Sequence, residues 1–160
     1  AVLSGEETKE ELDGLAQDIL SYFGLGCRNI ARILLPKSYD LNLIFGALYP
    51  YAEVMNHAKY ANNYDYNKAV FLMSEYAMLD NGFFLLLENN SFSSPVGCLH
   101  YSFYDNLKQV EEMIIQEHEQ IQCVSSQLPL PNAIALGKAQ QPELWDYADG
   151  RDTLDFLLKL

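Results

Sequence analysis

At 160 residues the chain has room for one domain, or one plus an appendage, with a sizeable apolar core, and 49% hydrophobic with 20% charged residues is ordinary globular composition. A formal charge of −12 with ten Lys and Arg in all argues against a nucleic-acid partner, which needs a basic face to neutralise phosphates. No apolar run reaches the roughly 20 residues that span a bilayer and no secretory signal opens the chain, while three cysteines at 27, 98 and 123, far apart and without a CxxC, point to neither a disulfide framework nor a zinc knuckle and fit a reducing cytoplasm.

Ser4 followed by Glu7 reads as a capping box that opens a helix. Behind it Leu12, Leu15, Ala16, Ile19, Leu20 and Phe23 recur at helical spacing as one apolar stripe, and Gly24 stops the helix. Residues 30–35 are a short apolar run closed by Pro36, the signature of a buried strand. A helix from about Asp40 carries Leu41, Ile44, Phe45 and Leu48 on one face, with Pro50 near its end. Residues 51–66 are crowded with aromatics and amides and read as a helix fragment and loop at a surface or crevice.

Asp65 is placed to cap the next helix, with Tyr66, Ala69, Val70, Met73 and Ala77 on its inner face. Asp80-Asn81-Gly82 is a turn signal, after which residues 83–87 are continuously apolar. A polar loop over 89–95 leads to a strand over 96–103, an amphipathic helix over 106–119 with Leu107, Val110 and Ile114, and a last short strand over 121–124. This order predicts a layered α/β domain with at least partly parallel strands, and the fold class expected is a layered αβα domain with a mostly parallel sheet. The division expected is a nucleophile-bearing domain over 1–126 and a tail over 127–160. The tail opens on the stiff Leu128-Pro129-Leu130-Pro131 connector and packs on a neighbouring domain or subunit.

The stretch that organises the chain is Tyr22-Phe23-Gly24-Leu25-Gly26-Cys27-Arg28-Asn29. A cysteine displayed on a glycine-rich turn between two rigid elements is held at a fixed point, and glycines let a bound carbonyl come close to the backbone. A thiol at its reference pKa is only a few per cent thiolate at pH 7, so a nucleophilic role needs a partner charge or aligned N–H groups, and Arg28 is the neighbouring charge. The competing reading of Cys27 is a small core hydrophobe, the commonest role of an intracellular cysteine. Cys98 and Cys123 lie in apolar strands and read as core. His57, His100 and His118 form no ligand pair, and Glu111, Glu112, Glu117 and Glu119 read as a solvated face. Trp145 with Tyr147 reads as a partner anchor or as cover for the core edge.

The capped helix, the Gly24-Leu25-Gly26-Cys27 turn and the strand Arg32-Ile33-Leu34-Leu35 fall in the order seen in the catalytic domain of the aldehyde dehydrogenase superfamily, which this chain resembles. Ser93-Ser94-Pro95-Val96 is similar to that superfamily's Phe-Gly-Pro-Val segment. The Tyr22 to Asn29 run and the Ala139-Gln140-Gln141-Pro142 to Asp146-Tyr147-Ala148-Asp149-Gly150 tail look like the LuxC-type acyl-CoA reductases. The resemblance implies Cys27 as nucleophile, with Gly24, Gly26, Arg28 and Asn29 as turn and oxyanion support. It implies acyl-CoA or another activated fatty acid as substrate, a homo-oligomer, and NADPH or NADH bound mainly by a region upstream of Ala1, since no GxGxxG lies in these residues.

Two positions depart from the superfamily pattern: Val2 stands where a general-base glutamate is expected, and Ser91 or a neighbour where a glutamate meets the nicotinamide ribose. Loss of the first suits transfer from coenzyme A over hydrolysis. A start without methionine, almost at a helix cap, reads as a cut inside a longer protein, and the isolated piece is expected to be inactive. Two other readings stay open: a non-catalytic α/β binding or assembly module, and a cysteine hydrolase if a histidine approaches Cys27.

Overall fold

The computed structural model describes residues 1–147 and 150–159. Ala148 and Asp149, within the 139–150 stretch quoted above, and Leu160 lie outside the described residues. The chain builds a four-stranded sheet in the order β1-β4-β3-β2, from β1 (Arg32–Pro36), β2 (Met78–Asp80), β3 (Leu85–Glu88) and β4 (Cys98–Tyr104). β1 and β3 both run parallel to β4, and only β2 is antiparallel, paired to β3 through the Asp80-Asn81-Gly82 turn. The fold is therefore mixed α/β with a mostly parallel sheet. Past β1 the ladder continues through single parallel bridges, Val2 to Leu34, Val2 to Ser126 and Ser125 to Ile134.

Alternation along β1 sorts its side chains between two cores. Ile33 and Leu35 join the main cluster with Leu15, Ile19, Ile44 and Leu48 from the helices α1 (Lys9–Leu20) and α2 (Asn42–Leu48). Leu34 points the other way, with Val2, Leu130 and the Val110 side chain of α4 (Leu107–Gln116). Two-residue periodicity on a strand with both faces covered produces this split. Among the described residues no helix is long and apolar enough to cross a membrane.

The stripe predicted on α1 is the buried one, through Leu12, Leu15, Ala16, Ile19 and Leu20. The cap is not Ser4: Thr8 takes the Glu11 N–H while the Glu11 carboxylate takes the Thr8 N–H, a complete capping box four residues later. Ser4 and Glu7 instead close a small turn of their own, in which both the Ser4 N–H and its hydroxyl donate to Glu7. The first strand starts at Arg32, two residues beyond Ile30. The last predicted strand, over 121–124, reduces to the bridges made by Ser125 and Ser126.

The largest correction concerns α3 (Ala58–Met73), which begins seven residues before Asp65 and runs through the expected loop. Its inward side is Tyr60, Tyr64, Asn67 and Phe71, spaced at i, i+4, i+7 and i+11. Tyr60 donates its hydroxyl to Phe83 O at 3.0 Å, Tyr64 to Asp80 Oδ1 at 2.6 Å, and the Asn67 amide reaches Val96 O at 2.9 Å. Tyr66, Ala69, Val70, Met73 and Ala77, expected inside, are all exposed. Residues 128–139 turn back onto the domain, burying Leu130, Leu136 and Ala139. Leu144, Trp145, Tyr147 and the short helix α5 (Thr153–Leu158) leave their large apolar side chains in solvent.

Candidate functional site around Cys27

α1 ends at Leu20, and the chain leaves it through three successive left-handed residues, Tyr22, Phe23 and Gly24, at φ 53°, 61° and 74°. Glycine adopts that region without the strain a bulky side chain meets there, and of the two aromatics Phe23 has ring partners that hold it while Tyr22 is exposed. The Phe23 ring meets the edge of His57 at 4.8 Å and lies 6.5 Å from the Tyr60 ring. Beyond it Gly26, Cys27, Arg28 and Asn29 form one tight turn, closed by the Asn29 N–H donating to Gly26 O at 3.0 Å. Cys27 and Arg28 occupy its two central positions.

The turn is clamped from both sides. Asn29 Oδ1 accepts the Gly26 N–H at 2.6 Å, while its Nδ2 donates to Asp18 O, Ile19 O and Ser21 O at 2.8, 3.1 and 2.9 Å. One side chain thus satisfies the open carbonyl end of α1 and fixes the turn to it. Gly26 is required by this closeness: a Cβ there would lie 2.5 Å from Asn29 Oδ1. On the other side Arg28 Nε donates to Ala139 O at 2.6 Å, and its Nη2 pairs with Asp146 at 3.7 Å.

Segment 137–139 is in turn held by Asp18, 1% exposed on α1. Its two carboxylate oxygens accept the Gly137 N–H at 2.7 Å and the Ala139 N–H at 3.1 Å. Burial pushes the Asp18 carboxyl up, and those two donors oppose the shift. Asp18, Ala139 and Arg28 therefore form a continuous brace from the helix to the turn.

Cys27 is exposed and lines a cavity of about 140 Å³ between the turn, the start of β1 and residues 120–124. Arg28, Arg32, Phe92, Met113, Ile114 and Cys123 share that wall. Arg32 lies over the Phe92 ring at 4.8 Å and donates to Asn90 O, Asn90 Oδ1 and Ser102 Oγ at 2.7, 3.0 and 2.9 Å, and its Nε is buried without a partner. Burial moves the Arg32 pKa down, though a guanidinium stays charged.

The remaining candidates lie elsewhere. Cys98 is buried on β4, its thiol pushed up to about 12 by burial. His100 is buried beside Ser91 O at 3.3 Å, and burial together with the Arg32 charge pulls its pKa down. His57 packs on Phe23. Neither histidine lines the Cys27 cavity. His118 is exposed on the short 3-10 turn that follows α4. Among the described residues no three His, Cys, Asp or Glu side chains come together as a metal-binding set.

Gly24, Gly26, Cys27, Arg28 and Asn29 thus form one unit, and sequence reading also missed Asp18, Arg32, Phe92 and Cys123. Asp18 carried no signal, because its partners lie 119 and 121 residues away. Phe92 sat beside the Ser93-Ser94-Pro95-Val96 motif and was within reach of that signal. No family model matches the chain, and no curated protein is significantly similar to it.

Proposed function

We propose that the chain is the nucleophile-bearing part of a LuxC-type acyl-CoA reductase with an aldehyde-dehydrogenase-like catalytic fold. The observation that carries this reading is the placement of Cys27, exposed at a cavity wall on a turn pinned to α1 by Asn29 and to segment 137–139 by Arg28. Fixing a nucleophile on rigid supports removes the entropy of finding the attack geometry. In this reading the Cys27 sulfur attacks the acyl-CoA carbonyl, the new C–S bond forms as the bond to coenzyme A breaks, and coenzyme A departs as a thiolate.

The Cys27 N–H is the oxyanion donor from this chain. Asn29 serves as turn support, since its amide hydrogens are already engaged with α1 carbonyls. A bound NADPH or NADH supplies the hydride that releases the acyl group as an aldehyde. Phe92 with Arg32 offers a flat, cationic wall for the nicotinamide end. The glycine-rich phosphate cradle of a dinucleotide site is not among these residues, and the reading assigns it to a region outside them.

Two further features support a fatty acyl substrate. Val2, buried between β1 and residue 126, leaves no base at the position that would activate water for thioester hydrolysis. On the far side of the turn Phe23, Leu25, His57, Tyr60 and Val96 line an apolar groove of about 290 Å³ suited to an alkyl chain. The reading places the protein in the cytoplasm as a homo-oligomer. Its test is Cys27→Ser in the full-length protein with a radiolabelled acyl-CoA. Acyl-enzyme labelling should vanish and turnover fall by several orders of magnitude. Labelling and turnover that survive the substitution overturn Cys27 as the nucleophile, and an unaltered protein that takes no label overturns the reading in favour of a binding or assembly module that keeps the α/β layers without the chemistry.

A further inference from the structure

Cys27 and Cys123, 96 positions apart in sequence, face one cavity. Cys27 is exposed, whereas Cys123 is half-buried against the main core. Cys98, the remaining cysteine, is buried on β4 and lines a different cavity. We propose that Cys27 and Cys123 form a reversible dithiol–disulfide pair, in which Cys27 meets the oxidant and Cys123 resolves it.

The Cys27 turn is clamped by Asn29 and Arg28, so closure of the bond falls to the Cys123 backbone. A disulfide needs its Cα atoms within about 7 Å, and the segment that adjusts to reach that spacing is the one carrying Cys123. Cys27 sits at the centre of a turn and Cys123 in an irregular stretch just before the single bridges at Ser125 and Ser126, and neither belongs to a strand ladder or a helix. The groups sense each other electrostatically as well. Burial pushes the Cys123 thiol up, the Arg28 guanidinium opposes that shift, and the Cys27 sulfur reinforces it. A resolving cysteine kept as a thiol away from bulk solvent avoids oxidation until a sulfenic acid forms beside it.

The chemistry balances with a hydroperoxide as oxidant. The Cys27 thiolate attacks one peroxide oxygen and the O–O bond breaks, giving Cys27 sulfenic acid and hydroxide. The Cys123 sulfur then attacks the sulfenic sulfur, the S–S bond forms, and the S–O bond breaks with loss of water. The two thiols give up two electrons to the peroxide, and a small thiol reductant reverses the change. Formation of this bond would block any chemistry at Cys27, yet the pair itself does not depend on the acyl-transfer reading.

The test is hydrogen peroxide treatment of the full chain, alkylation of remaining thiols, and peptide mapping with and without dithiothreitol. The expected product is an intrachain peptide joined through Cys27 and Cys123, released by dithiothreitol, formed equally in Cys98→Ser and lost in Cys123→Ser and Cys123→Ala. In those two variants Cys27 should progress to sulfinic acid. The proposal is overturned if Cys27 in the unaltered chain reaches sulfinic acid while Cys123 remains alkylatable, or if Cys27 links only between chains.

Discussion

Asn29 carries more of the site geometry than Cys27 itself. Its amide group joins four backbone groups on two segments, the Gly26 N–H and the carbonyls of Asp18, Ile19 and Ser21. Truncation leaves these groups without their partner at a half-buried position, and an unsatisfied buried polar group costs about 1–3 kcal/mol. Asn29→Ala is accordingly expected to lower stability by about 2 kcal/mol in urea unfolding and to change the alkylation rate of Cys27 in the folded chain. An unfolding midpoint and alkylation rate equal to those of the unaltered chain would remove Asn29 from its bracing role. The glycines and the cysteine announced this turn in sequence, because glycine next to cysteine has few purposes other than shaping backbone. What Asn29 and Arg28 bind was not legible: Arg28 read as a charge for the thiol, while its guanidinium is engaged by Ala139 and Asp146.

The elements were most legible where apolar spacing was clean and packing followed it. α1 and α4 have apolar stripes with polar opposite faces, so their buried sides could be read directly. α3 misled because its inward face is built from tyrosines and an asparagine whose polar ends find partners inside, while its aliphatic positions point to solvent. Hydrophobicity alone ranks Val70 and Met73 above Tyr60 and Tyr64, and the hydroxyls of the tyrosines reverse that order by bonding Phe83 O and Asp80. Met73 is 85% exposed and Tyr60 only 2%. Val70→Ser with Met73→Gln should therefore shift stability by no more than about 0.5 kcal/mol per site, whereas Tyr60→Ala should cost about 3–5 kcal/mol by opening a cavity under β3. Thermal unfolding of both variants checks the helix register. A double variant as damaged as Tyr60→Ala would mean that the aliphatic face is the packed one.

Across the whole molecule the decisive coupling runs between the first helix and residues 137–139, a connection spanning most of the chain. The sequence marks a change of texture at Gln127, where prolines and polar residues replace amphipathic pattern, and that change reads as the edge of a domain. Packing does not follow the texture: Leu130, Leu136 and Ala139 enter the two cores, and Gly137 lies so close to Gly14 that a Cβ on Gly137 would come within 2.9 Å of the Gly14 Cα. A chain ending at residue 126 loses those side chains and both donors to the Asp18 carboxylate. A buried carboxylate stripped of its partners costs several kcal/mol, a large share of the 5–15 kcal/mol that holds a domain together. A chain ending at residue 147 keeps every one of these contacts and discards residues 148–160, among them α5 with its exposed large side chains. Circular dichroism melts should thus show a cooperative transition for 1–147, close to that of the full chain, and none for 1–126. A cooperative melt of 1–126 at the same temperature would show that the Asp18 brace is dispensable, and with it the account of how Arg28 is held beside Cys27.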